Sequence, residues 1–372
     1  MRIEEIDKNF AVQTTNGKTL VYLPPTAQGI EVNGLPFFKE ERRLCRLSMA
    51  SLPEQTVGVQ DEAWMPAGVQ VRFKTNSRII GVKYRLRRLP NVARMPMSGS
   101  SGFDLYLGQG SAKKFVSVSV GSNEYGPLEF SALLMDISGG VPSPEVSPVY
   151  QPLPGTDLRE VTINFPTYNI VDEVTFGLEP GSEVLPPTPF AIEKPIAFYG
   201  SSITQGGCSS RPGNTYIQHL SRWLDAHVIN LGFSGCARAE ISMNRFLAGL
   251  DISALVLDYD HNAPNSDYLR ETHERLFKTV REAQPELPIV LVSKPDTDKN
   301  LVDTQKRLDV IETTYQNALK AGDKHVFFVD GRTLFGKKDR DACTVDACHP
   351  NDLGFYRMAE AIEPVLRQAL GI

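Results

Sequence analysis

The chain has 372 residues, 41% of them hydrophobic and 22% charged, and a formal net charge of −5. A sequence pI near 5.8 argues against a surface built to hold nucleic acid, which carries a basic surplus or stripe. No run of about 18 apolar residues offers a membrane-spanning helix, and the length calls for two domains of ordinary size.

The opening Met1-Arg2-Ile3-Glu4-Glu5-Ile6-Asp7 is charged where a secretory leader is apolar. As written the sequence reads as cytoplasmic; a leader removed upstream would make the protein secreted or periplasmic. From Val69 the apolar residues alternate as Val69, Val71 and Phe73, then, after Thr75-Asn76-Ser77, as Ile80, Val82, Tyr84 and Leu86. This pattern predicts a hairpin with one buried face. Arg85, Arg87 and Arg88 read as a solvated strand face.

Period two returns at Phe103, Leu105 and Leu107, at Val116, Val118 and Val120, at Val161, Ile163 and Phe165, and at Val174, Phe176 and Leu178. With no long helical pattern between these runs, residues 1–180 are expected to form an antiparallel, jelly-roll-like β-sandwich. The Pro-rich stretch from Val141 to Gly155 is expected to be a surface loop on it. Residues 181–194, with Pro186, Pro187 and Pro189 and no periodicity, read as a stiff linker.

From residue 195 to 372 short apolar runs alternate with amphipathic ones. Strands are predicted at Ile196–Tyr199, Val228–Leu231, Ala254–Asp258, Ile289–Ser293 and Val326–Val329. Tyr216, Ile217, Leu220, Trp223 and Leu224 share a helical face, as do Leu308, Ile311, Tyr315 and Leu319. Strand, helix, strand in repetition implies a three-layer α/β domain with a five-stranded parallel, flavodoxin-like sheet, because parallel strands need crossover helices. Ligands of such sheets sit at the carboxyl ends of the strands.

That edge collects the residues capable of chemistry. The first strand delivers Gly200-Ser201-Ser202, the second leads to Ser234-Gly235, the third to Asp258-Tyr259-Asp260-His261-Asn262, and the segment after the fifth carries Asp346 and His349. A serine hydroxyl becomes a nucleophile when an imidazole takes its proton and a carboxylate fixes the imidazole tautomer. Taken singly, each of these residues is an ordinary turn former or cap; four segments converging on one crevice carry more weight. His219, His227, His273 and His325 have no such context.

In these blocks the sequence resembles the SGNH (GDSL-type) hydrolases over residues from about 196 to 370. The resemblance implies Ser202 as nucleophile, His349 as base and Asp346 as its orienting carboxylate. Backbone N–H groups of Ser202 and Gly235 and the Asn262 amide would then be the oxyanion-hole donors. Ser201 replaces the usual Asp of the first block and leaves two adjacent serines, of which the alignment selects Ser202. Ser201 and His261 are expected to line the substrate site. Gly102-Phe103-Asp104-Leu105-Tyr106 resembles the GxDLY element of β-sandwich domains that precede some of these hydrolases.

The implied activity is that of a serine esterase acting through an acyl-enzyme on a small acyl, acetyl-type, ester, an acylated carbohydrate being one such small-molecule substrate. The alternatives are an acyltransferase using the same serine and a carbohydrate-binding protein with a decayed site. No cofactor is required and no metal is expected: Cys45, Cys208, Cys236, Cys343 and Cys348 lack zinc-site spacing. Their odd number argues against a disulfide framework, although Cys343 and Cys348 are near enough in sequence to pair. No nucleic acid or membrane partner is expected, and the oligomeric state is left open.

Overall fold

The computed structural model describes residues 12–88, 93–120, 128–295 and 299–372. Among the described residues ten strands build the first half: β1 (Val12–Thr15), β2 (Lys18–Leu23), β3 (Glu31–Asn33), β4 (Gln70–Thr75), β5 (Ile79–Leu86), β6 (Phe103–Leu107), β7 (Lys114–Ser119), β8 (Glu129–Asp136), β9 (Arg159–Asn164) and β10 (Val171–Leu178). They form two five-stranded sheets, β1-β2-β10-β5-β8 and β3-β4-β9-β6-β7, with antiparallel pairing throughout. Alternate residues of both sheets meet in one core that includes Val71, Phe73, Val82, Tyr84, Phe103, Leu105, Ile163, Phe165 and Phe176. The antiparallel sandwich expected from period two is therefore present.

The expected hairpin of residues 69–86 is not. β4 pairs with β3 and β9, whereas β5 pairs with β8 and β10 in the opposite sheet. Alternation specifies that each strand has one buried face, and that demand is met equally by strands side by side or by strands facing each other across a sandwich. The crossing is fixed locally: Ser77 Oγ donates to the Ile79 carbonyl at 2.6 Å and accepts from Glu179 N at 3.0 Å. Leu20, Val21, Tyr22 and Leu23 of β2 are all buried, a continuous apolar run that period two does not reveal.

In the second half β11 (Ile192–Gly200), β12 (Ala226–Gly232), β13 (Ala254–Asp258), β14 (Ile289–Val292) and β15 (Val326–Val329) form a parallel sheet in the order β12-β11-β13-β14-β15. Ile196 and Phe198 of β11 pack with helices Tyr216–Leu224 and Asp352–Leu370 on one face. Ala197 and Tyr199 pack with helices Ile241–Ala248, Ser266–Ala283 and Leu301–Lys320 on the other. Leu319, read as part of a core face, is instead 41% exposed. Gly200 is level with Gly232 on one side and Asp258 on the other, so three strands end together.

β11 opens at Ile192, inside the segment read as linker, and residues before it are pinned to the sandwich. Leu185 bridges Lys74, and Thr188 N and Oγ1 both donate to the Glu160 carboxylate at 2.8 Å. The two halves also share a buried polar seam. Asp104, the acidic residue of the Gly102–Tyr106 element, accepts from Asn164 Nδ2 at 2.6 Å and from Gly213 N at 2.7 Å. Gln70 Nε2 donates to Gln218 Oε1 at 2.7 Å.

At Gly213 the seam leaves no room for a side chain. A Cβ there would lie 2.5 Å from Tyr106 Oη and 2.8 Å from Asp104 Oδ2. Gly213→Ala is expected to lower stability by about 1–3 kcal/mol through overpacking, read as an earlier urea midpoint; an unchanged midpoint would show that the seam yields freely.

Candidate active site

The turn after β11 is dictated by crowding. A Cβ on Gly200 would fall 1.9 Å from Thr204 Oγ1 and 2.4 Å from the Asp258 carbonyl, so the strand can end there only in glycine. Ser201 follows, fully buried, with its N–H on the Asp258 carbonyl and its Oγ accepting from Ile203 N at 3.2 Å. It caps the short Ser202–Gln205 helix. This corrects the expectation that Ser201 lines the substrate site: the hydroxyl is consumed inside the turn.

Ser202 is part-buried, and its Oγ lies 2.9 Å from His349 Nε2. Its carbonyl accepts from Gly206 N, Gly207 N and, at 3.1 Å, from the Tyr168 hydroxyl of the sandwich. Of the adjacent serines, only Ser202 meets the imidazole.

The imidazole is aimed by a compact turn. Ala347 adopts a left-handed φ of 61°, a conformation costly for a residue with a Cβ, of order 1–3 kcal/mol. It lets Asp346 Oδ1 accept from Cys348 N at 3.1 Å and His349 N at 2.7 Å. Asp346 Oδ2 faces His349 Nδ1 at 2.9 Å and accepts from Arg94 Nη1 at 2.7 Å. Burial alone would raise the Asp346 pKa, but the His349 N–H groups and the charges of His349 and Arg94 outweigh it and hold the carboxyl below its usual range. An ionised carboxylate on Nδ1–H leaves the Nε2 lone pair toward Ser202.

The loops that leave the same sheet edge carry donors with no internal acceptor among the described residues, the backbone N–H groups of Ser202 and Gly235. Gly235 takes φ +70°, and nothing lies within 4 Å of where its Cβ would be. Asn262 Nδ2 gives one proton to the Phe233 carbonyl at 2.8 Å, leaving a second amide proton. Phe233 O also accepts from Cys236 N and Ala237 N, which ties the Gly235 loop to Asn262. Arg307 brackets the Asn262 turn, donating from Nη1 to the Asp260 carbonyl at 2.5 Å and the Ala263 carbonyl at 3.0 Å.

Beside these groups lie buried side chains whose charged forms are disfavoured. Burial, then the neighbouring Asp260, raises the Asp258 pKa well above its ordinary value. Asp258 Oδ2 accepts from Thr204 Oγ1 and Tyr216 Oη, each at 3.1 Å. Burial likewise pushes Asp260 up to about 6, against the pull of Lys294 N–H. His261, part-buried, is pushed down to about 3, chiefly by desolvation. Its Nδ1 is 4.0 Å from Cys348 Sγ and its Nε2 has no partner among the described residues.

All five cysteines are free thiols, and Cys343 and Cys348, near enough in sequence to pair, do not. Cys343 faces Arg357 Nη1 at 3.3 Å instead. No metal-ligating cluster of His, Cys, Asp or Glu occurs among the described residues, and no described helix is long and apolar enough to cross a membrane. A cleft of ≈970 Å³ lined by Arg72, Phe190, Pro195 and His227 lies at the amino ends of the strands and contains none of the site residues. Sequence reasoning missed Arg94, Tyr168 and Arg307, which sit in or pack from segments bearing no motif.

Comparison with known proteins places both halves. The GDSL-like Lipase/Acylhydrolase family profile matches residues 193–367, and the profile of the N-terminus of SGNH-hydrolase-type esterases, named for GxDLY, matches residues 20–184. A crystal structure described as that of a GDSL-like lipase from Bacteroides ovatus superposes with a TM-score of 0.81 at 24% identity, covering 95% of this chain and 98% of that one. A salicylyl-acyltransferase, SsfX3, from a tetracycline biosynthetic pathway gives 0.72 at 18%, with coverages of 95% and 98%. A family two carbohydrate esterase from Clostridium thermocellum, in complex with cellohexaose, gives 0.56 at 15%, with coverages of 82% and 93%. At these identities the likeness is one of fold. No curated protein sequence matches the chain.

The neutral state of Asp258 has a measurable consequence. An aspartate in an unfolded chain ionises near 3.9, whereas buried Asp258 keeps its proton far above that. The folded state therefore holds a proton the unfolded state has lost, and stability falls as pH rises from about 4 toward the folded-state value. Asp258→Asn carries no such proton. Its unfolding free energy relative to wild type is expected to improve from pH 4 to pH 7; a pH-independent difference would mean that Asp258 is ionised in the fold.

Proposed function

We propose, for a chain that belongs to the GDSL-like lipase/acylhydrolase family and carries the N-terminal domain of SGNH-hydrolase-type esterases, that Ser202, His349 and Asp346 are the catalytic triad of a serine esterase. Family membership makes the protein a carboxylic ester hydrolase; the proposal names the residues and the substrate class. One observation carries it: an unbroken line in which Ser202 Oγ lies 2.9 Å from His349 Nε2 and His349 Nδ1 lies 2.9 Å from Asp346 Oδ2.

In this reading Ser202 Oγ attacks the ester carbonyl carbon while His349 Nε2 takes the hydroxyl proton. Negative charge grows on the carbonyl oxygen, where the N–H groups of Ser202 and Gly235 and the second amide proton of Asn262 are free to meet it. The tetrahedral intermediate collapses as His349 returns its proton to the leaving alkoxide, giving an acyl-Ser202 ester and a free alcohol. Water then attacks with the same base and donors, releasing the acid. The steps call on no metal or organic cofactor.

The substrate we assign is a small acyl ester, acetyl in the first instance, on a carbohydrate hydroxyl. The fold shared with a carbohydrate esterase supports that class, as does the two-domain form, in which the sandwich stands beside the crevice through Tyr168 and Arg94. A second reading is acyl transfer, favoured by the full-length likeness to an acyltransferase; an alcohol in place of water would complete the cycle. Free acid as the sole product, even with concentrated sugar or phenolic acceptors present, would dismiss it.

With p-nitrophenyl acetate, Ser202→Ala is expected to lose about three orders of magnitude or more in kcat, together with labelling by a fluorophosphonate probe. Ser201→Ala, which removes only a cap, should keep most activity and lose about 1 kcal/mol of stability. The opposite pattern would move the nucleophile by one residue, and an unlabelled, inert wild type would favour a decayed site.

Asn262→Ala is expected to lower kcat by about 100-fold through a missing oxyanion donor, with a smaller change in KM. An unchanged kcat would exclude Asn262 from the hole.

A further inference from the structure

We infer that Arg94, carried by the β-sandwich, is a positioning residue for the base: by sharing the Asp346 carboxylate with His349 it lets the imidazole stay deprotonated at lower pH than the dyad alone would allow. The inference rests on the triad reading and adds to it a role for the N-terminal domain in the chemistry. Arg94 lies in the connection between β5 and β6, 252 residues before Asp346, and its Nη1 reaches Asp346 Oδ2 at 2.7 Å. That same oxygen faces His349 Nδ1 at 2.9 Å.

Arg94 is not needed to aim the carboxylate. Oδ1 is already held by two backbone N–H groups, those of Cys348 and His349, within the same turn. What Arg94 adds is a permanent positive charge on the oxygen that would stabilise an imidazolium. A protonated ring meets a carboxylate already partly neutralised and a guanidinium that repels it, so the proton is held less firmly. The catalytic gain is a larger fraction of neutral base at mildly acid pH.

The other groups facing the dyad do not substitute for this charge. Cys208, on the loop after the Ser202–Gln205 helix, is pushed up to about 11 by burial and stays a thiol. Cys348 is raised, again chiefly by burial. His261, on the turn after β13, is pushed down to about 3 and stays neutral. Lys294, after β14, lies 3.6 Å from Asp303 and at longer range from the dyad, and Lys299 is exposed on the same segment. Among the described residues Arg94 is the cation in contact with Asp346 apart from the base itself.

The Arg94 side chain is 65% exposed, against 12% for Asp346. An ion pair so open to solvent contributes little to stability and is weakened by salt. Arg94→Gln should therefore fold normally, which makes it a clean probe of kinetics.

The test is the pH dependence of kcat/KM on p-nitrophenyl acetate for wild type, Arg94→Gln and Arg94→Lys, at low salt and in about 1 M NaCl. For Arg94→Gln the acid limb is expected to move upward by about half a pH unit to one unit, a loss of about 3- to 10-fold on the limb with the alkaline plateau changed by less than about 3-fold. Arg94→Lys should restore most of the limb. High salt should move wild type toward Arg94→Gln and leave the variant in place.

A limb in Arg94→Gln that coincides with wild type would overturn the inference. So would a large plateau loss without a limb shift, which would make Arg94 a structural or substrate-contacting residue. Ser202→Ala and fluorophosphonate labelling run alongside separate the two levels. Activity surviving in Ser202→Ala sinks the triad reading itself, whereas a dead Ser202→Ala beside an unmoved limb sinks only the role of Arg94.

Discussion

The site depends on one constraint, the level termination of β11, β12 and β13. Gly200 pairs with Gly232 on one side and with Asp258 on the other, so the loops that follow leave the sheet at the same height. Neither glycine can be replaced without collision: a Cβ on Gly232 would come within 2.2 Å of Gln205 N, as one on Gly200 would strike Thr204 and the Asp258 carbonyl. The close approach lets Phe233 N reach the Gly200 carbonyl at 2.9 Å and Asn262 reach the Phe233 carbonyl at 2.8 Å. Three loops are thus fixed relative to each other by the backbone bonds of Phe233 N to Gly200 O and Ser201 N to Asp258 O, which have no rotamers to lose, and by the Asn262 side-chain amide. It is also where the strand order reverses, the usual crevice of such sheets.

The sandwich is part of that frame. Arg46, fully buried in the connection between β3 and β4, donates to the Asn230 carbonyl at 3.1 Å and the Gly232 carbonyl at 2.5 Å while lying over the Phe233 ring. Burial lowers its pKa to about 10, which still leaves it charged at neutral pH. A cation committed to two carbonyls at the end of β12 stiffens the strand from which the Gly235 loop departs. Tyr168 holds the Ser202 carbonyl, and Arg94 reaches Asp346 from a third segment. The buried seam through Asp104, Gln70 and Gln218 keeps these contacts in register, because separating the halves would leave several polar groups without partners.

How much of this was legible follows from what each signal encodes. Period two and the alternation of strand and helix report local geometry, and they located the sandwich, the parallel sheet and the crevice edge. That Ser202, Gly235, Asn262, Asp346 and His349 would gather at one edge followed from the order of strands and helices, whereas the roles assigned to them came from the family resemblance. Strand partnership was not legible, since β4 and β5 obey the same alternation whether adjacent or opposed. Nor was the fate of Ser201, because capping and substrate contact call for the same hydroxyl and differ only in a rotation of the backbone. Arg94 and Arg307 act across 252 and 47 residues from partners that no local pattern names.

The electrostatics of the site are simpler than its list of titratable groups suggests. Asp258 and Asp260 are pushed up by burial, His261 is pushed down, and the Cys208 and Cys348 thiols are raised. Each shift moves a group toward neutrality: Asp258, His261 and the two thiols are uncharged near pH 7, while Asp260, at about 6, is still largely ionised there and accepts from Lys294 N at 2.9 Å. A charged carboxylate in place of Asp258 would favour the imidazolium; a charged His261 would disfavour it and compete for the oxyanion. The ionised carboxylate in contact with His349 is that of Asp346, whose carboxyl is instead held below its usual range. The Arg94 guanidinium, 65% exposed, is set directly on that carboxylate, so a charge open to solvent meets one that burial has largely enclosed.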